Sequence, residues 1–262
     1  ITHRARRGYE ELKSIVLEGN KGLSSIDHPN VVRFYDVGEV ILAGEKRMYM
    51  VMELIKGPRL DKIDLHPYRE EVDRFIDLAV QVASGIEAAH KTTFTDASGM
   101  PRQGIIHGNI KSRKILFTAS DTPKIIDFRF ADLAQNPQIE LLVPPEIEAR
   151  DRQERLEDYY PPEVVRGQAA ISQASDIYAL GAVFYEVLTG VPAGAASWNS
   201  LGQLHQQLRN QSPRFPLHLS QVIFEATLPD VSERTPSVEK MIDALLARAG
   251  WFKRILAWFR RK

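Results

Sequence analysis

Between positions 107 and 127 the chain sets out His107, Asn109, Lys111, Lys114 and Asp127: an imidazole, an amide, two amines and a carboxylate. General-base work needs a group that titrates near the operating pH, and the Asn109 amide cannot take a proton at neutral pH. An ammonium at Lys114 repels a metal cation and can only substitute for its charge. The elements around these groups follow from the pattern between Ile105 and Leu133. Ile115-Leu116-Phe117 and Ile125-Ile126 are apolar stretches of short-strand length, and Asp121-Thr122-Pro123 between them is a turn signal, so the middle reads as a hairpin. A polar loop, His107 to Lys114, enters the hairpin and Asp127 leaves it. Loop and carboxylate therefore fall on one side of a small sheet.

That layout resembles the catalytic loop, strand pair and metal-binding motif of a protein kinase, H-R-D-L-x-x-x-N followed by D-F-G. His107 stands at the family's His, and Gly108 replaces its Arg. Asn109 replaces the Asp that accepts the substrate hydroxyl proton. Lys111 matches the Lys that serine/threonine kinases place near the transferred phosphate. Lys114 stands where the family has a metal-holding Asn. Asp127-Phe128-Arg129 matches D-F-G with Arg for Gly, which implies that the metal-binding carboxylate survives. Two changes at one site, 109 and 114, argue against an enzyme.

The composition suits a soluble globular protein with one substantial core: 262 residues, 44% hydrophobic, 26% charged. The 34 basic and 34 acidic residues balance, so no global field recommends nucleic acid as a partner. There is no cysteine, hence no disulfide scaffold and no thiolate metal site, which fits a cytosolic compartment. No run approaches the ~18 apolar residues of a membrane span, and no signal peptide is visible. The seven histidines show no metal-ligand spacing.

From Tyr9 to Ile26 a helical pattern appears in Leu12, Ile15, Val16, Leu23 and Ile26, weakened by Gly19, Asn20 and Gly22. The stretches D-H-P-N-V-V-R-F-Y-D-V-G-E and R-M-Y-M-V-M-E-L follow. Together they resemble the kinase small-lobe helix, its H-P-N turn and the next two strands. Counting back from His28, the family's helix glutamate falls on Gly19, with Glu18 one place away. Gly19 is the favoured register because it puts Leu23 one turn later, and it implies that the Lys–Glu ion pair of an active kinase cannot form without a register shift. No Gly-rich phosphate loop or V-A-I-K precedes the helix. The strands that carry them need some tens of residues, and only about eight are available before Tyr9. With Ile1 rather than Met in front, a fragment starting just after those strands is expected.

The resemblance makes Glu53–Gly57 the hinge between lobes. It places Met52 at the back of a nucleotide pocket, the backbone of Glu53 and Ile55 at an adenine edge, and Leu116 among the nucleotide-contacting positions. Val72 to His90 reads as an amphipathic helix. The polar stretch from Lys91 to Arg102 reads as a surface loop; similar D-x-x-G-x-P insertions occur in some bacterial serine/threonine kinases, implying a bacterial origin.

Beyond Asp127, Pro161-Pro162-Glu163 resembles A-P-E and closes an activation segment without Ser or Thr. Gly108 has removed the Arg that would pair with a loop phosphate, so switching by phosphorylation loses both ends. Leu156 takes the place of the Thr that faces the catalytic Asp. The charged run from Glu146 to Asp158 reads as a solvated loop or as a protein-docking surface. Ala174 to Gly181 resembles the start of the central helix of the kinase large lobe. By the same resemblance Asp176 holds the backbone of the His107 loop and Arg234 pairs with Glu163.

At the chain's end, Trp251, Phe252, Ile255, Leu256, Trp258 and Phe259 fall on one helical arc, with Lys253, Arg254, Arg260 and Arg261 on the other. Such a helix suits anionic lipid, although packing on the large lobe or the flank of a membrane span gives the same pattern.

The expected fold is α+β and protein-kinase-like: an incomplete β-rich small lobe over residues 1–56, a mainly helical large lobe over 57–247, and a basic amphipathic helix over 248–262. The expected function is that of a pseudokinase, a regulatory or scaffolding module in signalling. It has a protein partner, binding of ATP and Mg²⁺ is weak or absent, and it resides in the cytoplasm or at the inner face of the membrane. A low-activity serine/threonine kinase and a membrane-associated adaptor are the alternatives.

Overall fold

The hairpin expected after the polar loop is present. In the computed structural model, which describes residues 22–42, 44–96, 99–128, 158–195 and 198–247, β5 (Ile115–Phe117) pairs antiparallel with β6 (Pro123–Ile125), Ile115 opposite Ile125. The second strand begins at Pro123, two residues earlier than the apolar pattern implies. A proline at the first position of a strand gives up no ladder hydrogen bond that the turn needs. Asp121 takes a left-handed φ of 60° in the turn, a conformation Asp tolerates.

A second hairpin, β1 (Phe34–Leu42) with β2 (Glu45–Met52), forms the β-rich small part of the molecule. The segment that leads into it, Asn30 to Val32, is bonded to β6. Val32 N–H donates to Ile125 O at 2.9 Å, Ile125 N–H to Asn30 O at 2.8 Å, and the Asn30 amide to Pro123 O at 2.8 Å. Residues 22–24 form a helical turn in front of this connection, with Leu23 and Ile26 buried. Gly19 and the rest of the expected helix lie outside the described residues.

The larger part is helical: α1 (His66–Glu70), α2 (Val72–Lys91), α3 (Pro162–Val165), α4 (Gln173–Thr189), α5 (Leu201–Gln211), α6 (Leu217–Ala226) and α7 (Val238–Leu246). The 3.6-residue period of α2 buries Phe75, Leu78, Ala79, Val82, Ala83 and Ile86 on one face. Helix α4 is apolar nearly all round and sits in the centre, packed against α1, α2, α5 and α6. A capping box between Ser172 and Ser175 starts it, and Gly190 at φ 77° ends it. Edge-to-face contacts of Phe75 with Phe184 (6.0 Å) and Phe215 (5.7 Å) lock α2 to its neighbours. No described helix is long and apolar enough to cross a membrane.

The stretch after α2, read as a surface loop, instead forms a small hairpin of β3 (Thr93–Thr95) and β4 (Pro101–Gln103). Asp96 supplies the reason. It is buried, its carboxylate accepts from Met100 N–H and Arg102 Nε, and Gly99 at φ 83° lets the chain reverse.

Candidate functional site

The loop from His107 to Lys114 is held from below by α4. The Asp176 carboxylate, 1% exposed, accepts the backbone N–H groups of His107 and Gly108 at 2.8 Å each, and His90 Nε2 at 2.9 Å. Ten residues along the same helix, Glu186 takes the other end of the loop: Ser112 Oγ at 3.0 Å and the Tyr159 hydroxyl at 2.7 Å. One rigid helix thus fixes both ends of the loop through carboxylates. Glu163, on α3, is bound bidentately by the buried Arg234 at 2.9 and 3.1 Å. Arg234 also donates to Leu228 O and Ala174 O, so this pair fixes the approach to α4 from the far side.

The His107 ring is fully buried. Its Nδ1 accepts from Asn109 N–H at 3.1 Å and its Nε2 meets Ile126 O at 3.1 Å, the pattern of a neutral ring protonated on Nε2. Burial pushes its pKa down, with Lys114 adding to the effect against the opposing pull of Asp176 and Asp127. Phe128 lies on the ring at 4.4 Å and touches Phe34 edge-on at 6.5 Å, tying loop, hairpin exit and β1 together. With both nitrogens engaged and no exposure, His107 is structural rather than a proton acceptor.

Asn109 is half-buried and its side-chain oxygen lies 3.4 Å from the Tyr160 hydroxyl, which donates to Gly108 O at 2.9 Å. Lys111 is buried, its ammonium 6.0 Å from the centre of the Tyr160 ring. Lys114 and Asp127 are brought together: the ammonium donates to Asp127 Oδ2. Asp127 takes a left-handed φ of 65°, and its side chain is 56% exposed against 16% for Lys114.

The expected hinge positions are arranged differently from one another. Glu53 N–H donates to Arg33 O at 2.8 Å, and its carboxylate accepts Lys124 Nζ at 2.8 Å and Arg33 N–H at 3.2 Å. Burial works to raise the Glu53 carboxyl, but the hydrogen bonds from Lys124 and Arg33 outweigh it and hold it below the usual range. Glu53 lines a cavity of about 330 Å³ with Asp27, His28, Arg33 and Lys124; Met52 and Ile55 are not part of its wall. Met52 ends β2 with 38% exposure, and Leu116 is half-buried in β5, bridged to Arg59. Gly57 passes so close to Phe117 O that a Cβ would overlap it, which holds the segment after β2 against β5.

Residues 3–252 match the protein kinase domain. The chain belongs to the protein kinase family. It is 29% identical over 226 residues to the probable serine/threonine-protein kinase PknB of Lactococcus lactis, covering 84% of this chain and 32% of that protein. With serine/threonine-protein kinase PrkC of Bacillus subtilis it shares 31% identity over 229 residues, 83% of this chain and 31% of the other. The chain thus spans about a third of the length of these curated bacterial relatives. The crystal structure of the Mycobacterium tuberculosis PknI kinase domain superposes with a TM-score of 0.61 at 18% identity, over 91% of this chain and 80% of that one, which shows the two-lobed α+β kinase fold.

Protein kinases in general use ATP with Mg²⁺, and the residues here do not fit the metal. Mg²⁺ takes a near-octahedral shell of oxygens. Such a shell is completed by phosphates and water around one or two protein oxygens. Here Asp127 offers one carboxylate, already paired with an ammonium, and the second position, Lys114, carries that ammonium instead of an oxygen. Two unit charges 4 Å apart interact by about 4 kcal/mol at the effective dielectric near a protein surface. A divalent ion at that distance from Lys114 meets about twice that repulsion, about 8 kcal/mol.

Sequence reasoning missed His90, Tyr160 and Glu186. His90 carried a signal, since it lies one turn beyond Ile86 on the buried face of α2. Tyr160 offered only a hydroxyl near the end of the activation segment, and Glu186 was hidden in an apolar run. The activation segment from Arg129 to Glu157, with Leu156, and the basic segment Trp251–Lys262 lie outside the described residues.

Proposed function

We propose that this chain is a pseudokinase: a regulatory or scaffolding module with a kinase body that does not transfer phosphate and that acts by binding a protein partner in signalling. The observation that carries the reading is the state of position 109. The base position holds an amide packed beside the Tyr160 hydroxyl, and the one imidazole of the loop is buried with both nitrogens engaged. Asp127, the remaining acidic group at the site, is paired with Lys114. No group of the loop is left to accept a hydroxyl proton at neutral pH. What is kept is the scaffold: Asp176 under the loop and Arg234 on Glu163.

A low-activity serine/threonine kinase is the second reading, and Lys111 favours it. Phosphoryl transfer depends mostly on positioning and charge stabilisation, so a lysine near the phosphate could sustain slow turnover without a strong base. Transfer of labelled phosphate from ATP, compared between the wild type, Asn109→Asp and Asp127→Ala, separates the two. The pseudokinase reading expects background levels in all three. Turnover lost in Asp127→Ala restores the enzyme.

A further inference from the structure

Residue 114 is fixed beside residue 127 by the backbone. Ile126 N–H donates to Lys114 O at 2.9 Å, continuing the register of the Ile115–Ile125 pair, and Lys114 N–H donates to Lys111 O at 2.9 Å. The lysine is therefore rooted at the mouth of the β5–β6 hairpin, and its mostly buried side chain ends on the Asp127 carboxylate. We propose that the Lys114 ammonium takes the place of the divalent cation, so that this chain receives a nucleoside triphosphate as the metal-free polyanion. The inference rests on the reading above in taking this chain as a kinase body without phosphate transfer, and adds that a nucleotide still docks beside Asp127.

The chemistry of the two cations supports the exchange. An ammonium carries three N–H donors. Asp127 takes one, which leaves two for phosphate oxygens. The lysine thereby bridges carboxylate and phosphate as a bound metal does, with one charge in place of two. Mg²⁺ has to displace a cation attached to the chain, whose effective concentration does not fall on dilution. It would gain one carboxylate and keep an ammonium as its neighbour.

The test is a titration of the fluorescent analogue TNP-ATP into the full chain, once in EDTA and once in saturating magnesium chloride. For the wild type the affinity in magnesium is expected to equal that in EDTA or to fall below it, since magnesium withdraws the metal-free nucleotide. Lys114→Asn, with melting checked against the wild type, is expected to bind more weakly in EDTA and to tighten about tenfold or more when magnesium is added. Tightening of that size in the wild type overturns the proposal. So does a wild type that binds in neither condition, or a Lys114→Asn variant indifferent to the metal. The wild-type comparison stands without any variant. Labelled-phosphate transfer by the same sample reports separately on the pseudokinase reading, since turnover sinks that reading whatever the titrations give.

Discussion

The imidazole of His90, near the C-terminal end of α2, donates to Asp176 at 2.9 Å on the same carboxylate that carries the His107 and Gly108 backbone N–H groups. Three donors from two segments converge on one buried anion, and the loop at the centre of the site takes its shape from that convergence.

Removing Asp176 leaves these donors buried without an acceptor. Asp176→Ala is expected to cost about 3–5 kcal/mol of unfolding free energy, and His90→Ala about 1–3 kcal/mol, both read from denaturant melts. Hydrogen exchange locates the effect: in His90→Ala the His107 and Gly108 amides are expected to lose protection, while amides in α6 keep theirs. Unchanged exchange at 107 and 108 would remove the positioning role of His90.

His107 sets a pH dependence. Its folded pKa is depressed by burial, while the unfolded ring titrates near 6.5. The unfolded state therefore binds the proton first as pH falls, so the contribution is fully present above 6.5 and is lost on going down through the folded value. Melting temperature is expected to drop between pH 7 and pH 5, with a shallower slope in His107→Gln. An identical slope in that variant would assign the loss to other groups.

Glu53 and Lys124 join the end of β2 to β6 through a 2.8 Å ion pair with the side chains 27% and 14% exposed. Glu53→Gln is expected to cost about 1–2 kcal/mol at neutral pH. The folded carboxyl titrates below its ordinary value of 4.5, so its contribution is present above that pH and fades as pH falls further. The difference between wild type and Glu53→Gln should shrink only below about pH 4.5, whereas the loss set by His107 begins at about 6.5.

The segment Trp251–Lys262 alternates an aromatic and aliphatic arc with basic residues. Its composition predicts sedimentation with anionic vesicles that weakens at high salt and disappears when residues 251–262 are deleted. Equal sedimentation of the two chains would leave the segment no lipid role.

Much of the fold was legible because local signals and burial agree. The apolar stretches at 115–117 and 125–126 gave the hairpin, the 3.6-residue period gave α2, and the unbroken apolar run after Asp176 gave α4. The β3–β4 hairpin was not legible, since it depends on a buried Asp96 inside a sequence that is otherwise polar and turn-like. At the site, motif spacing named Lys114 and Asp127, but only the register of β5 with β6 brings their side chains into contact. The Glu186 cluster was invisible for a similar reason: Ser112, Tyr159 and Glu186 are far apart in sequence and meet through the packing of α4.

The most direct measurement is single-turnover phosphate transfer from γ-labelled ATP by the purified chain, to itself and to a generic protein acceptor, with Asn109→Ala and Lys114→Ala alongside. The expected result is background transfer in every case. Transfer by the wild type above background that either substitution abolishes would contradict the account.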